Sequence, residues 1–354
     1  MNLELPGFDE FFTGKTDAEK LQQFSLARVI AVNKNSFLIT DGSNEIFAEL
    51  TGKFLFDASS PLDYPVTGDF VYARVFNEES FAVIDGLLPR KSLLKRKMPG
   101  KKVDFQLIAS NIDTAIVVQG LDGDYNLRRL ERYLVLIREG NIKPLLLLSK
   151  SDLMSKSEIE MRVDEIRRLV PELEVVSYSS LIKDDLEKVR ELFTPKETYC
   201  LIGSSGVGKT TLLNSLLNKE AFSTQPVREK DHRGRHTTTR RELIVLDNGA
   251  MIIDTPGMRE LGLMSDADAV DESFSDIYSL ALNCRFRDCT HTREEGCALL
   301  EAIKKGELSP ERFNSYIKLM KESRFYQMSY LEKRKKDKEF GKMVKSVLKN
   351  HPKK

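Results

Sequence analysis

Apolar and polar positions along the chain change period twice. From residue 27 to 89, short β-branched and aromatic runs (ARVIAV, SFLIT, IFAEL, DFVYARVF, FAVI) are separated by turn residues, Asp41-Gly42 among them. This pattern predicts five short antiparallel strands with a hairpin turn at Asp-Gly. Five strands in so short a span suit a small barrel such as an OB-fold. An SH3-like barrel or a sandwich fragment has a similar strand count. From residue 103, continuous apolar runs begin at Thr114, Pro144, Thr198, Glu242 and Ala250. They alternate with helical stretches at 126–138, 156–169 and 209–217. Strands that are apolar throughout are buried on both faces, so a parallel sheet covered by helices is expected. Beyond residue 266 the chain reads as helical and polar. Ser309-Pro310-Glu311 reads as a helix start, followed by an apolar stripe of Phe313, Tyr316, Ile317 and Met320.

The first 25 residues show no period and read as an arm that orders only on a partner. Residues 90–102 (RKSLLKRKMPGKK) read as a basic linker. The expected division is a barrel with its arm (1–95), an α/β nucleotide domain (103–265) and a helical metal-bearing domain with a basic tail (266–354). Of 354 residues, 41% are hydrophobic and 31% charged, which excludes a wholly disordered or collagen-like chain. No apolar run reaches the length of a membrane span. The start MNLELPGFDEFF lacks a basic stretch followed by an apolar core, and with four cysteines a reduced, cytoplasmic setting is expected. The net charge of +1 is uneven. Residues 333–354 hold ten Lys/Arg against two acids, a net of +8, which leaves −7 for the rest. A basic tail on an acidic body suggests a polyanion partner.

Gly203-Ser204-Ser205-Gly206-Val207-Gly208-Lys209-Thr210 fits a phosphate-binding loop between a strand and a helix that continues from Thr211. Its glycines let backbone N–H groups surround a phosphate, at the positive end of a helix. Lys209 is expected to reach the β and γ oxygens, and the Thr210 hydroxyl to ligate Mg²⁺. Asp254-Thr255-Pro256-Gly257 ends a strand. Asp254 there can hold Mg²⁺ through water, and the Gly257 N–H can sense the γ-phosphate. Between the two, the segment from Arg233 to Arg240 reads as a mobile loop. Thr238, with Thr237 second, is the candidate to close over the γ-phosphate. Met258 cannot orient water, so slow unaided hydrolysis is expected, with His236 the nearest candidate catalytic group. Ser149-Lys150-Ser151-Asp152 follows another strand. Asp152 can accept the N1 and exocyclic amino hydrogens of guanine, and the Lys150 stem can cover the base. Ser149 stands where Asn is usual. The stretch from Val175 to Ser179, with Ser177 and Tyr178 central, can offer N–H groups to the guanine oxygen. Cys284, Cys289, His291 and Cys297 place three thiolates and an imidazole within 14 residues, a set suited to one structural tetrahedral Zn²⁺. Cys200, inside an apolar run, reads as an inert core residue.

In ordinary GTPases the phosphate loop precedes the base-selecting segment. Here the order is SKSD, VSYSS, GSSGVGKT, HTTT, DTPG, a circular permutation. This order, a preceding small barrel and a following Cys/His cluster resemble the ribosome small-subunit-dependent GTPase A family over about residues 27–325. GRHTTT, DTPGMRE and the Cys/His segment carry the likeness. The resemblance implies a monomeric GTPase that binds the small ribosomal subunit and its rRNA and assists late maturation. It implies turnover of GTP to GDP that is slow alone and faster on the subunit. A P-loop ATPase or kinase, and an RNA-binding scaffold with a structural nucleotide site, are the alternatives from the residues alone.

Overall fold

A computed structural model describes residues 5–34, 36–76, 80–97, 105–217, 241–254 and 267–327. The chain forms two compact units, one of Met1–Pro99 with Asp104–Gly262 and one of Leu263–Lys354 with Gly100–Val103.

In the first unit, β1 (Ser25–Val32), β2 (Phe37–Thr40), β3 (Glu45–Leu50), β4 (Phe70–Phe76) and β5 (Phe81–Leu87) follow the order 1-2-3-5-4, and β4 closes on β1. The β3–β5 pair is parallel and the other pairs are antiparallel, the expected five-stranded barrel. Strand β3 alternates exposed and buried residues, while Ile46, Ala48, Ala82, Ile84 and Val71 fill the interior. The N-terminal segment departs from the expected free arm. It forms α1 (Glu10–Thr13), and Leu5 and Phe12 pack with Leu26, Phe70, Tyr72 and Leu88. Its phenylalanines lie at intervals too irregular for a period, yet they cover the apolar barrel face. A short helix, α2 (Gly52–Asp57), follows β3.

The expected basic linker also departs from its reading. Residues Leu93–Lys97 form β6, which pairs antiparallel with β7 (Phe105–Ser110). Lysine and arginine obscured the alternation in the sequence, but Leu94, Leu107 and Ile108 are buried.

The nucleotide sheet contains β8 (Thr114–Gly120), β9 (Lys143–Ser149), β10 (Glu174–Ser177), β11 (Thr198–Ile202), β12 (Glu242–Val245) and β13 (Met251–Asp254). Their order is 10-9-8-11-13-12. All pairs are parallel except β12–β13. Every residue of β8 and β11 is buried, as an apolar run covered on both faces requires. The helices of this unit are α3 (Leu127–Glu139), α4 (Lys156–Leu169), α5 (Lys183–Glu191) and α6 (Lys209–Leu216). Asn126 caps α3 through the Arg129 N–H, and a Ser155–Glu158 capping box starts α4.

The barrel is continuous with this sheet, because β1 pairs with β12 at Ala31 and Glu242. Arg28 lies in the seam with no exposed surface. Its guanidinium donates to the carbonyls of Pro6 (2.8 Å), Gly68 (3.3 Å) and Asn111 (3.3 Å) and to Thr198 Oγ1 (2.9 Å). It also stacks on Phe70 at 4.9 Å. Burial pulls it down to about 10, and Asp113, Asp69 and Asp9 act the other way. It therefore stays charged at neutral pH, with carbonyl and hydroxyl oxygens accepting its N–H groups.

In the second unit, α7 (Ala267–Ser273), α8 (Ser275–Ala281), α9 (Ala298–Lys305) and α10 (Pro310–Gln327) are described. The buried stripe of α10 is Arg312, Tyr316, Leu319 and Ser323, so only Tyr316 of the expected stripe is fully covered. Arg312 binds Asp276 and stacks on Phe274 at 5.0 Å, while Tyr316 donates to Asp271. These polar anchors rotate the buried face. The basic tail, 333–354, lies outside the described residues, and among those described no helix is long and apolar enough to cross a membrane.

Replacing Arg28 by Met removes the donor to the Pro6 and Asn111 carbonyls and to Thr198, while the Gly68 carbonyl keeps the Asn111 amide. We expect a loss of about 3 kcal/mol in urea unfolding. A loss under about 1 kcal/mol would contradict the seam as described.

Candidate functional site

Parallel strands that end at one edge of a sheet bring their following loops together. Strands β8, β9, β10, β11 and β13 do so here, and each carries part of the site. Strand β11 runs into Gly203, whose φ of 154° suits glycine. A Cβ at Gly203 would lie 2.3 Å from the Val118 carbonyl oxygen of β8, so only glycine lets the loop pass. Gly206 and Gly208 have φ of 83° and 96°, and helix α6 starts at Lys209. The Lys209 ammonium donates to the loop's own carbonyls at Gly203 (2.8 Å) and Ser204 (2.6 Å). Ser205, Gly206, Thr210 and Thr211 are partly or fully accessible, and Val207 is buried in the core.

Asp254 ends β13 in register with Leu201, two residues before Gly203. It therefore stands beside the phosphate loop, as a carboxylate that helps hold a cation there must.

The segment 149–152 meets the same loop. Ser149 ends β9 at 3% exposure, and its hydroxyl donates to the Val207 carbonyl at 2.7 Å. Fifty-eight residues separate the two in sequence. The shorter serine thus still reaches the phosphate loop. Lys150 adopts a left-handed turn (φ 61°), and its ammonium pairs with Asp122 at 2.6 Å. Hydrogen bonds from Lys150 and the Asp124 N–H outweigh partial burial and hold the Asp122 carboxyl below its usual range. Asp152 follows in a short 3-10 turn, Ser151–Leu153, and its carboxylate accepts from the Ser179 hydroxyl at 2.6 Å.

The sequence points to Ser177 and Tyr178 for the N–H groups, and the structure shifts this. Ser177 is the last residue of β10. The Tyr178 N–H is used by the Leu148 carbonyl at 2.9 Å, its carbonyl accepts from the Ser151 N–H, and its ring lies in the core. Tyr178 therefore has no N–H to offer a base, and Ser179 orients Asp152 instead. The run SYSS held this signal, but only the strand's end fixes which serine turns inward. Asp122 was missed as well. Its signal was its place in the loop after a parallel strand neighbouring the one before Lys150. His236, Thr237, Thr238, Gly257 and Met258 lie outside the described residues.

In the second unit, the side-chain donors of Cys284, Cys289, His291 and Cys297 all lie within 4.8 Å of one another. Cys284 Sγ and Cys297 Sγ are 4.0 Å apart, and each is 3.5–3.6 Å from His291 Nδ1. A tetrahedral zinc with thiolates at about 2.3 Å needs about 3.8 Å between sulfurs, so the set fits that ion. His291 takes a left-handed turn (φ 56°) that brings its ring among the thiols. Glu294 braces the turn. The Thr290 hydroxyl, with the N–H groups of Arg293 and Thr292, holds its carboxyl well below the usual range.

Comparison with known proteins is consistent with this arrangement. A family model described as RsgA GTPase matches residues 87–264. A small ribosomal subunit biogenesis GTPase, RsgA 1, of Bacteroides thetaiotaomicron is 38% identical over 350 residues, covering 98% of this chain and 97% of its own. The RsgA of Opitutus terrae, described in the same words, is 39% identical over 92% of this chain and 90% of its own. Among solved structures, YjeQ from Thermotoga maritima shares the fold at a TM-score of 0.62 and 23% identity, over 84% of this chain and 98% of its own. YloQ, described as a circularly permuted GTPase, does so at 0.61 and 22%, over 87% and 97%.

Ser149→Ala removes the hydroxyl that, among the described residues, joins the SKSD turn to Val207. One hydrogen bond of this kind is worth about 1 kcal/mol, so GDP affinity should fall roughly fivefold in a fluorescent-nucleotide titration. Unchanged affinity would show that the turn needs no such tie.

Proposed function

The chain belongs to the RsgA GTPase family, and on that premise we propose that it binds GTP in the pocket between SKSD and the phosphate loop and hydrolyses it while attached to the small ribosomal subunit. It is a GTP hydrolase of small-subunit biogenesis. The observation that supports the pocket is the 2.7 Å hydrogen bond from Ser149 to Val207, which joins the SKSD turn to the glycine-rich loop.

Asp152, oriented by Ser179, accepts the N1 and amino hydrogens of guanine, a pair that adenine does not present. Ser149 ties the turn, and the Lys150 stem, fixed by Asp122, covers the ring. The N–H groups from Gly203 to Thr211 receive the phosphates, with Ser204, Ser205, Gly206, Val207 and Gly208 shaping the loop. Lys209 leaves the Gly203 and Ser204 carbonyls to reach the β and γ oxygens. Thr210 and Asp254 would hold Mg²⁺, which neutralises charge on the phosphate oxygens. Thr238 and Gly257 are assigned to the γ-phosphate, and His236 to the water in place of Met258. The zinc assignment to Cys284, Cys289, His291 and Cys297 is structural, because four protein ligands leave no open position. The chain works as a monomer in the cytoplasm, and its basic tail supplies salt-dependent contact with rRNA phosphates.

The test is GTP turnover by protein carrying about one zinc per chain, measured with small subunits, with large subunits and with neither. Small subunits should raise turnover roughly tenfold or more, a lowering of the barrier by about 1.4 kcal/mol or more. His236→Ala should lose that increment. Equal turnover in all three conditions would count against the subunit assignment. Equal competition by ATP would favour a P-loop ATPase, and no turnover in any condition would favour a scaffold.

A further inference from the structure

The outer face of the barrel carries three phenylalanines that the nucleotide chemistry does not use. Phe47 on β3 is in register with Phe81 on β5, and Phe81 with Phe76 on β4. Directly paired residues share a face of the sheet. Their neighbours Ile46, Ala48 and Ala82 fill the barrel interior, so the three rings stand outside as one row. Phe47 is 58% exposed and Phe76 42%. An exposed aromatic row of this kind marks an interaction surface more often than a scattered apolar residue does. The next row across the same strands is Glu49, Val83 and Arg74. Glu45 stands two residues before Phe47, on the same face and exposed.

Charge decides the partner. Between Ser25 and Leu87 the sequence has four Lys/Arg against nine Asp/Glu, a net of −5. Arg28 and Asp69 are buried and offset each other, so the balance without them is also −5. Nucleic acid binding draws on Lys and Arg to neutralise phosphates, and this face offers few. Aromatic rings beside carboxylates attract guanidinium and ammonium groups instead. The barrel already shows the interaction, since the Arg74 guanidinium lies 5.0 Å from the Phe24 ring centroid. Each of β3, β5 and β4 is paired on both sides, so no strand edge is free there and contact is through side chains.

We propose that the outer face of β3, β5 and β4 docks an extended arginine- and lysine-rich protein segment, with its cations on Phe47, Phe81 and Phe76 and paired with Glu45 and Glu49. Small barrels of this kind commonly bind nucleic acid through one face and its loops, and the charge of this face does not favour that. The docking rests on the small-subunit reading only for the source of the segment, and its test omits the particle, so the two fail separately.

The experiment titrates the full chain with fluorescein-labelled nonaarginine and, in parallel, with a labelled uridine dodecamer. Phe47→Ala with Phe76→Ala should weaken nonaarginine binding roughly tenfold, the size expected for two lost cation–π contacts. Glu45→Lys with Glu49→Lys should weaken it by at least as much. Both double variants change exposed side chains, so circular dichroism and unaided GTP turnover should be unchanged, and uridine binding should not fall. Nonaarginine binding that neither variant alters would overturn the proposal. So would an aromatic variant that loses uridine binding while keeping the peptide, which would make the row a base-stacking platform.

Discussion

Among the described residues, one hydroxyl, that of Ser149, ties the SKSD turn to the glycine-rich loop. Ser149 ends one parallel strand and donates to Val207 in the loop that follows another. The contact is possible because β9, β8 and β11 are neighbours in one parallel sheet, so the loops after them emerge along one edge. Chain order is irrelevant to that edge. A site assembled from loop ends survives when the chain is cut and rejoined elsewhere, provided the sheet closes in the same order. The permuted succession of motifs is thus a statement about connectivity, while the chemistry follows from adjacency.

The same continuity extends to the barrel. Strand β1 pairs with β12, and β12 pairs with β13, which ends at Asp254. Arg28 anchors the seam by bonding to carbonyls of the N-terminal segment, of the turn before β4 and of the link after β7, and to the Thr198 hydroxyl of β11 in the nucleotide sheet. A buried guanidinium with several acceptors tolerates little displacement, because each lost acceptor leaves a polar group dry. The barrel is therefore continuous with the strands that lead to Asp254, while the outer face of β3, β5 and β4 presents phenylalanine and glutamate outward.

The parts legible in the sequence were those whose chemistry is local. The glycine-rich loop declared itself through its glycines and the lysine after them, the Cys/His cluster through its spacing, and the buried strands through unbroken apolar runs. The parts that were not legible depend on tertiary neighbours. Arg28 reads as a surface residue in a strand until its carbonyl partners are known. The antiparallel β6–β7 pair hid behind the lysines and arginines of its sequence. Ser179 could not be told from Ser177 without the end of β10, and Asp122 needed the order of strands. The N-terminal phenylalanines follow no period because they pack on a barrel made by later residues.

The most direct test of the shared pocket is a crystal structure of the chain with GDP and Mg²⁺. The account requires the guanine N1 and amino nitrogens to lie within hydrogen-bonding distance of Asp152, about 2.7–3.2 Å, while the β-phosphate rests on the Gly203–Lys209 loop. A base turned away from Asp152, with the phosphates still on that loop, would contradict it.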